Sequence, residues 1–428
     1  MSSSESPKEI GEEALRQQTP RCAVLVVAAG FEDRAARVTE LIGPAMPLRV
    51  IVVKYAAGIA ENDRMFAKIV RIVETVAPRT ETKIVVLDPI HPDDYLNAMK
   101  AQFRNWRPDS VGEVWIDISA LPMQGICATL SAAREAVPEL GVRVLYTEPK
   151  LYFPTKKEVS EAESNIARKR AGIRVARQGR TARERSGRRS EHHNSGVKSE
   201  LATGERADTV RDFSDEELSF RLPKPALSRE MSGNLIPKQF RGSSSEVSTC
   251  LILFAGYEQH RSLGVVDQLN PGKLVLAFGM PYRPELQWRL QWSQRLHEPL
   301  RGGRPTASET VSTLDPMSAL CMLNEYYGYL FSDHNIAVSP ICSKMQCVAC
   351  YLFWERYRDV QLVFPLPVQY VPSRFSEKSR TTFEYVLPTP AEMSILAPSL
   401  LSGRSASRST GPWSGSPDVA PTDASNTP

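Results

Sequence analysis

Residues 21–29 read RCAVLVVAA, an apolar run too short for a buried helix and without polar alternation. A run of that kind is a strand covered on both faces. It stops at Gly30, and Phe31-Glu32-Asp33-Arg34 leads into a helical stretch to about Ile42. The pattern then repeats. Residues 49–54 read as a second strand, 61–76 as a helix, 83–87 as a third strand stopped by Asp88-Pro89, and 93–103 as a helix. Residues 113–118 form a fourth apolar run, with a helix after Pro122, and 142–146 form the fifth. This regular alternation predicts an α/β unit over 21–154, a mainly parallel sheet flanked by helices in a Rossmann-like arrangement.

From residue 155 to 248 the alternation disappears. Residues 168–189 hold ten Lys/Arg and one acid with few large apolar groups. That composition predicts a solvated linker, disordered or partly helical, and also allows weak non-specific contact with nucleic acid. The pattern resumes at 249–255 (TCLILFA) and returns with the same landmarks. Gly256-Tyr257-Glu258 answers Gly30-Phe31-Glu32, and Arg261 answers Arg34. Leu314-Asp315-Pro316 answers Leu87-Asp88-Pro89, and Ser339 is set opposite Ser119. Pro367-x-x-Tyr370-x-Pro372 answers Pro149-x-x-Tyr152-x-Pro154. Landmarks in one order at nearly one spacing point to an internal duplication over 249–400, two tandem Rossmann-like units packed as a pseudo-dimer. Residues 1–20 are polar and read as a flexible start. Residues 401–428 are rich in Ser, Pro, Gly and Thr and read as a disordered tail.

The chain has 428 residues, enough for two or three domains, and a net charge of +4, too small to call for a nucleic-acid partner by itself. Its seven cysteines show no paired framework, which predicts a reducing, cytoplasmic setting. No apolar run approaches the roughly 18 residues of a membrane span, so no membrane partner is expected.

The strand-end turns carry the candidate chemistry, because ligands of open parallel sheets bind outside the carboxyl ends of the strands. Gly30 and Gly256 permit a sharp turn and close approach of a ligand, but the further glycines of a dinucleotide fingerprint are missing, so no such cofactor is expected. Glu32 and Glu258 could bond ribose hydroxyls, and Arg34 and Arg261 could meet phosphate; the plainer reading is that they start a helix. At the fourth-strand turns the first half offers Asp117, Ser119 and Gln124, and the second Ser339, Ser343, Lys344 and Gln346. Hydroxyls and a lysine before a helix N-terminus suit phosphate, while Asp117 suits a sugar or base or serves as a helix cap. Asp117 and Lys344 are both expected at exposed turns. Asp88 and Asp315 precede proline and equally fit plain turn chemistry. Tyr152 and Tyr370 could stack on a base or pack an edge. Cys342-x4-Cys347-x2-Cys350 lacks a fourth cysteine downstream and reads as core, and His192-His193 has no ligand partner, so no metal is expected. Ser119 lacks the glycine elbow of a nucleophile.

The phrase IDISALPMQG at residues 116–125 resembles the signature of the CRISPR-associated Rossmann fold (CARF) family, with an Asp-x-Thr/Ser turn at the fourth strand and a polar turn after the first. A fused pair also resembles the SAVED arrangement. The family's glycine after this turn is Ala120 here. The resemblance implies a sensor of cyclic or linear oligonucleotide messengers in prokaryotic antiviral defence. The ligand would lie between the two halves, at Gly30, Phe31, Asp117, Ile118 and Ser119 together with Gly256, Ser339 and Lys344, and a separate protein would act as effector. The alternative is a metal-independent hydrolase or ring nuclease acting on a nucleotide or oligonucleotide.

Overall fold

The computed structural model describes residues 6–47, 49–56, 59–105, 112–165, 168, 228–242 and 246–393. The middle of the expected linker, including His192-His193, and the expected tail over 401–428 lie outside these residues. The chain divides into a large unit, Met1–Phe153 with Pro225–Pro428, and a small one, Pro154–Lys224. In the small unit residues 156–165 are helical, begun by a reciprocal cap. Glu158 Oε2 accepts from the Thr155 N–H at 2.7 Å, and Thr155 Oγ1 accepts from the Glu158 N–H at 3.3 Å.

In the large unit the apolar runs become strands as read. β1 (Lys8–Ile10) and α1 (Glu12–Gln18) precede β2 (Cys22–Ala28), α2 (Arg37–Ile42), β3 (Arg49–Tyr55) and α3 (Ala60–Val76). Then come β4 (Glu81–Leu87), α4 (Pro92–Arg104), β5 (Glu113–Asp117), α5 (Met123–Ala136) and β6 (Gly141–Tyr152). The second half comprises β7 (Ser228–Leu235), β8 (Thr249–Ala255), α6 (Gln259–Leu269), β9 (Lys273–Met280) and α7 (Trp288–Leu296). It continues with β10 (Thr306–Ser312), α8 (Pro316–Leu330), β11 (Asn335–Pro340), α9 (Lys344–Arg356), β12 (Gln361–Leu362), β13 (Phe364–Tyr370) and β14 (Ser376–Val386).

One sheet has the order β1-β14-β6-β5-β2-β3-β4 and the other β10-β9-β8-β11-β12. Counted within each half, the five core strands follow the same order, 3-2-1-4-5, and all their pairings are parallel. Alternate residues explain the double-sided burial of the central strands. Val24, Val26 and Ala28 enter one core cluster while Leu25 and Val27 enter another. Cys250, Ile252 and Phe254 join the first of these clusters, together with side chains of α4, α5, α8 and α9, so one continuous core spans both halves.

Three boundaries differ from the sequence reading. The start carries packed elements: β1 pairs with β14, and Leu15 of α1 is buried in the core. The expected linker ends earlier, because Ser228–Leu235 pairs antiparallel with β13. The last strand among the described residues does not stay with the second half: β14 pairs antiparallel with β6 and extends the first sheet. β7 and β14 escaped notice because they are polar strands whose identity depends on distant partners rather than on an apolar run.

Candidate functional site

In a 3-2-1-4-5 sheet the order reverses between strands one and four, and the crevice at their carboxyl ends is the usual ligand position. In the first half that junction brings Gly30 against Ala120. A Cβ on Gly30 would stand 2.9 Å from the Ala120 Cβ and 3.2 Å from its carbonyl oxygen. In the second half a Cβ on Gly256 would stand 2.4 Å from the Ile341 carbonyl oxygen. Both turns therefore need glycine to let the two loops touch.

Behind each glycine the same polar frame is built. Arg34 Nη2 donates to both carboxylate oxygens of Glu32 at 3.0 Å, and Arg34 Nη1 donates to the Thr147 carbonyl at 3.0 Å. Arg261 Nη1 donates to Glu258 Oε2 at 3.0 Å and its Nη2 to the Pro365 carbonyl at 3.0 Å. A serine completes each frame: Ser376 donates to Glu32, and Ser228 donates to Glu258 Oε1 at 2.5 Å. Ser376 pairs with Tyr152 across β14 and β6, and Ser228 pairs with Tyr370 across β7 and β13. Both carboxylates are buried. Burial alone would raise the Glu32 carboxyl, but the Arg34 and Lys344 charges and the Ser376 hydroxyl outweigh it and hold it below its ordinary value.

The fourth-strand turns differ. Asp117 is buried rather than exposed, at 1%. It closes a turn on itself: Oδ1 accepts from the Ser119 N–H at 2.9 Å and from the Ser119 hydroxyl, and Ser119 Oγ accepts from the Thr147 N–H at 2.7 Å. Burial pushes the Asp117 carboxyl up to about 6, against the pull of Ser119, Arg34 and Lys344. The register corrects one equivalence. Val26 pairs with Ile116 and Ile252 with Val338, so Ser339 corresponds to Asp117, and Ile341 to Ser119. The two turns differ in length: five residues, 118–122, separate β5 from α5, and three, 341–343, separate β11 from α9. Ser339 Oγ is fully buried and has no hydrogen-bond partner among the described residues.

Ser343 caps α9 in a capping box with Gln346 and donates to the Thr313 carbonyl at 2.6 Å. Lys344, the first residue of α9, reaches into the other half, where its Nζ donates to the Leu121 carbonyl at 2.5 Å. It is partly buried rather than exposed. Burial lowers its ammonium to about 8, with Arg34 adding to the fall and Glu32 opposing it. A lysine in a first helical turn also works against the helix dipole. Nearby, Cys127 Sγ of α5 lies 3.6 Å from Cys347 Sγ of α9, so the two helices that follow the fourth strands meet at their N-terminal ends. The two turns are thus one constellation.

Asp88 and Asp315 stand apart from it, each in an Asx turn. Their Oδ1 atoms accept from the N–H groups of Ile90 at 2.9 Å and Met317 at 3.0 Å. Rings do join the constellation. Phe31 lies 5.1 Å from Phe375 and 6.5 Å from Tyr370, and the Tyr55 hydroxyl donates to the Ala120 carbonyl at 2.5 Å. Ser228, Ser376, Thr147 and Tyr55 were not foreseen. Among the described residues no cluster of His, Cys, Asp and Glu is arranged to hold a metal ion, and no helix is long and apolar enough to cross a membrane.

No family model and no curated protein matches the chain. Among solved structures it is similar, at a TM-score of 0.38 and 12% identity, to a Type III CRISPR defence DNA nuclease activated by cyclic oligoadenylate. The match covers 77% of this chain and 63% of that one, so the chain spans less than two thirds of that protein's length. A likeness of this size carries no argument about the activity of this chain.

Proposed function

We propose that the joined strand-end turns bind a nucleotide-type ligand and that the chain is a ligand sensor of prokaryotic antiviral defence, acting through a separate effector protein in the cytoplasm. The observation that carries this reading is Lys344, a partly buried cation at a helix N-terminus that bridges to the opposite half at Leu121. A cation placed at a helix N-terminus suits a phosphate. The repeated Glu–Arg–Ser frame supports reading the two halves as copies of one unit, and the IDISALP phrase supports the messenger class. Binding is favoured over turnover because Glu32 is bonded to Arg34, and Asp117 to Ser119, rather than poised on an open substrate position.

The test is thermal unfolding of the full chain with AMP, linear oligoadenylates and cyclic oligoadenylates. Ligand at about a hundredfold over Kd stabilises by roughly 2.7 kcal/mol. A rise in midpoint with one of these supports the reading, and no rise with any of them overturns it. Chromatography of the same mixtures checks the ligand's fate, and a cleaved ligand would replace the binding reading with the hydrolase.

A further inference from the structure

The cysteines are scattered in the sequence, yet four of them gather where α5 meets α9. Cys127 of α5 interacts with Cys342, Cys347 and Cys350 of the second half. All four are free thiols. One pair joins the halves: Cys127 Sγ lies 3.6 Å from Cys347 Sγ, 220 residues away in the chain. A second pair stays within the second half, where the Cys350 thiol bonds to Cys342. Cys127 and Cys347 are buried. The Cys347 thiol also donates to the Met123 carbonyl at 3.5 Å, and Met123 is only half-buried, so the cross-half pair adjoins a residue that water reaches. A disulfide holds its sulfurs about 2.05 Å apart, so this pair must close by about 1.5 Å to form one.

We propose that Cys127 and Cys347 are a redox latch between the two halves, closed by a peroxide. One thiol gives up its proton and attacks the peroxide as thiolate. The O–O bond breaks, the sulfur keeps one oxygen as a sulfenic acid, and the other oxygen leaves as water. The second sulfur then bonds to the first and displaces that oxygen as a second water. The peroxide takes up two electrons, and both thiol protons end in water. Burial raises the Cys127 thiol, so the step is slow and answers sustained oxidant rather than a brief pulse. Cys347 follows Lys344 by three residues, about one helical turn. The bond therefore ties α9 to α5 next to the lysine that bridges to Leu121, and it fixes the separation of the two fourth-strand turns. The latch does not depend on what the turns bind.

Prolonged treatment of the folded full chain with hydrogen peroxide, then alkylation and peptide mapping without reductant, tests it. The expected product is a linked pair of peptides carrying Cys127 and Cys347. Because the bond closes a loop of 220 residues, the urea midpoint should rise on oxidation and return with dithiothreitol. Cys342→Ser should form the same link and show the same rise. Cys127→Ser and Cys347→Ser should lose both, with alanine used at either position where circular dichroism shows that serine does not fold. A folded parent that joins Cys342 to Cys350 instead, or that forms no disulfide, overturns the latch. So does a link that appears only in the urea-unfolded chain, or one that leaves the midpoint where it was.

Discussion

The strand-end turns of the two halves share a skeleton and differ in what fills it. Each has glycine, an aromatic ring, a buried glutamate, an arginine that clamps it, and a serine from an antiparallel strand. The contributed strands exchange ends of the chain: β14, from the C-terminal half, serves Glu32, and β7, from the segment before β8, serves Glu258. At the fourth strand the resemblance stops. Asp117 and Ser119 are bonded to each other in the first half, whereas the second half has a Ser339 hydroxyl with no hydrogen-bond partner among the described residues and a lysine reaching across. What repeats is held by internal bonds and reads as framework. What differs is where a ligand would find charge to answer.

The largest effect should come from the framework. Removing one member of a buried, hydrogen-bonded ion pair leaves the other charge uncompensated and costs about 3–5 kcal/mol. Glu32→Ala and Glu258→Ala should each lower unfolding stability by that order, measured from denaturant midpoints at constant slope. Similar losses would mark a common framework. A loss confined to one half would break the comparison.

Next is the pH response of the first half. The folded protein keeps the Asp117 proton up to about pH 6, while the unfolded carboxyl releases it near 3.8. Between those values the folded state binds more protons, so this group makes stability fall as pH rises from about 4 to 6. The contribution is at most about 3 kcal/mol. Glu32 and Glu113, held below their ordinary values, act in the opposite sense. The difference between parent and Asp117→Asn therefore isolates the effect: the variant should gain on the parent across that window and hold the gain to pH 7. A constant difference from pH 4 to 7 would mean the carboxyl titrates as in the unfolded chain.

The two serines should part company more modestly. Ser119→Ala strands the Thr147 N–H and removes a donor to Asp117, a cost of about 1–3 kcal/mol. Ser339→Ala deletes a buried hydroxyl that has no partner among the described residues and should be neutral or slightly stabilising. Equal costs in urea unfolding would show that Ser339 is bonded after all and that the fourth-strand turns are alike.

Sequence reading found the strands because parallel strands buried on both faces appear as unbroken apolar runs, as in β2 and β8. The turn residues were legible because glycine and charge follow those runs abruptly. Their partners were not. Ser376 lies 344 residues from Glu32, on a strand as polar as a loop, and nothing local marks it. Burial at the turns was misjudged for the same reason. Asp117 and Lys344 look solvent-facing from their neighbours, but the opposite half and the exchanged strand cover them.

The smallest effect falls on Lys344, and it bears most directly on the ligand. At pH 7 its ammonium is largely charged; burial brings its loss of charge down to about pH 8 from an ordinary 10.5. The folded state thus sheds this proton first, and the lysine's unfavourable contribution to stability fades as pH rises from about 8 to 10.5. Lys344→Ala should therefore fold at least as well as the parent, having lost a cation that opposes the α9 dipole. If the cation meets a phosphate, the variant should bind the oligoadenylate that stabilises the parent about tenfold more weakly. Its salt dependence should flatten by about one contact. Parent affinity should fall as pH rises through about 8, and the variant's should not. Titrations at two salt concentrations and at pH 7 and 9 read all three. A variant that matches the parent in every condition would reduce Lys344 to a strut between the halves, and the asymmetry of the fourth-strand turns would then concern packing rather than recognition.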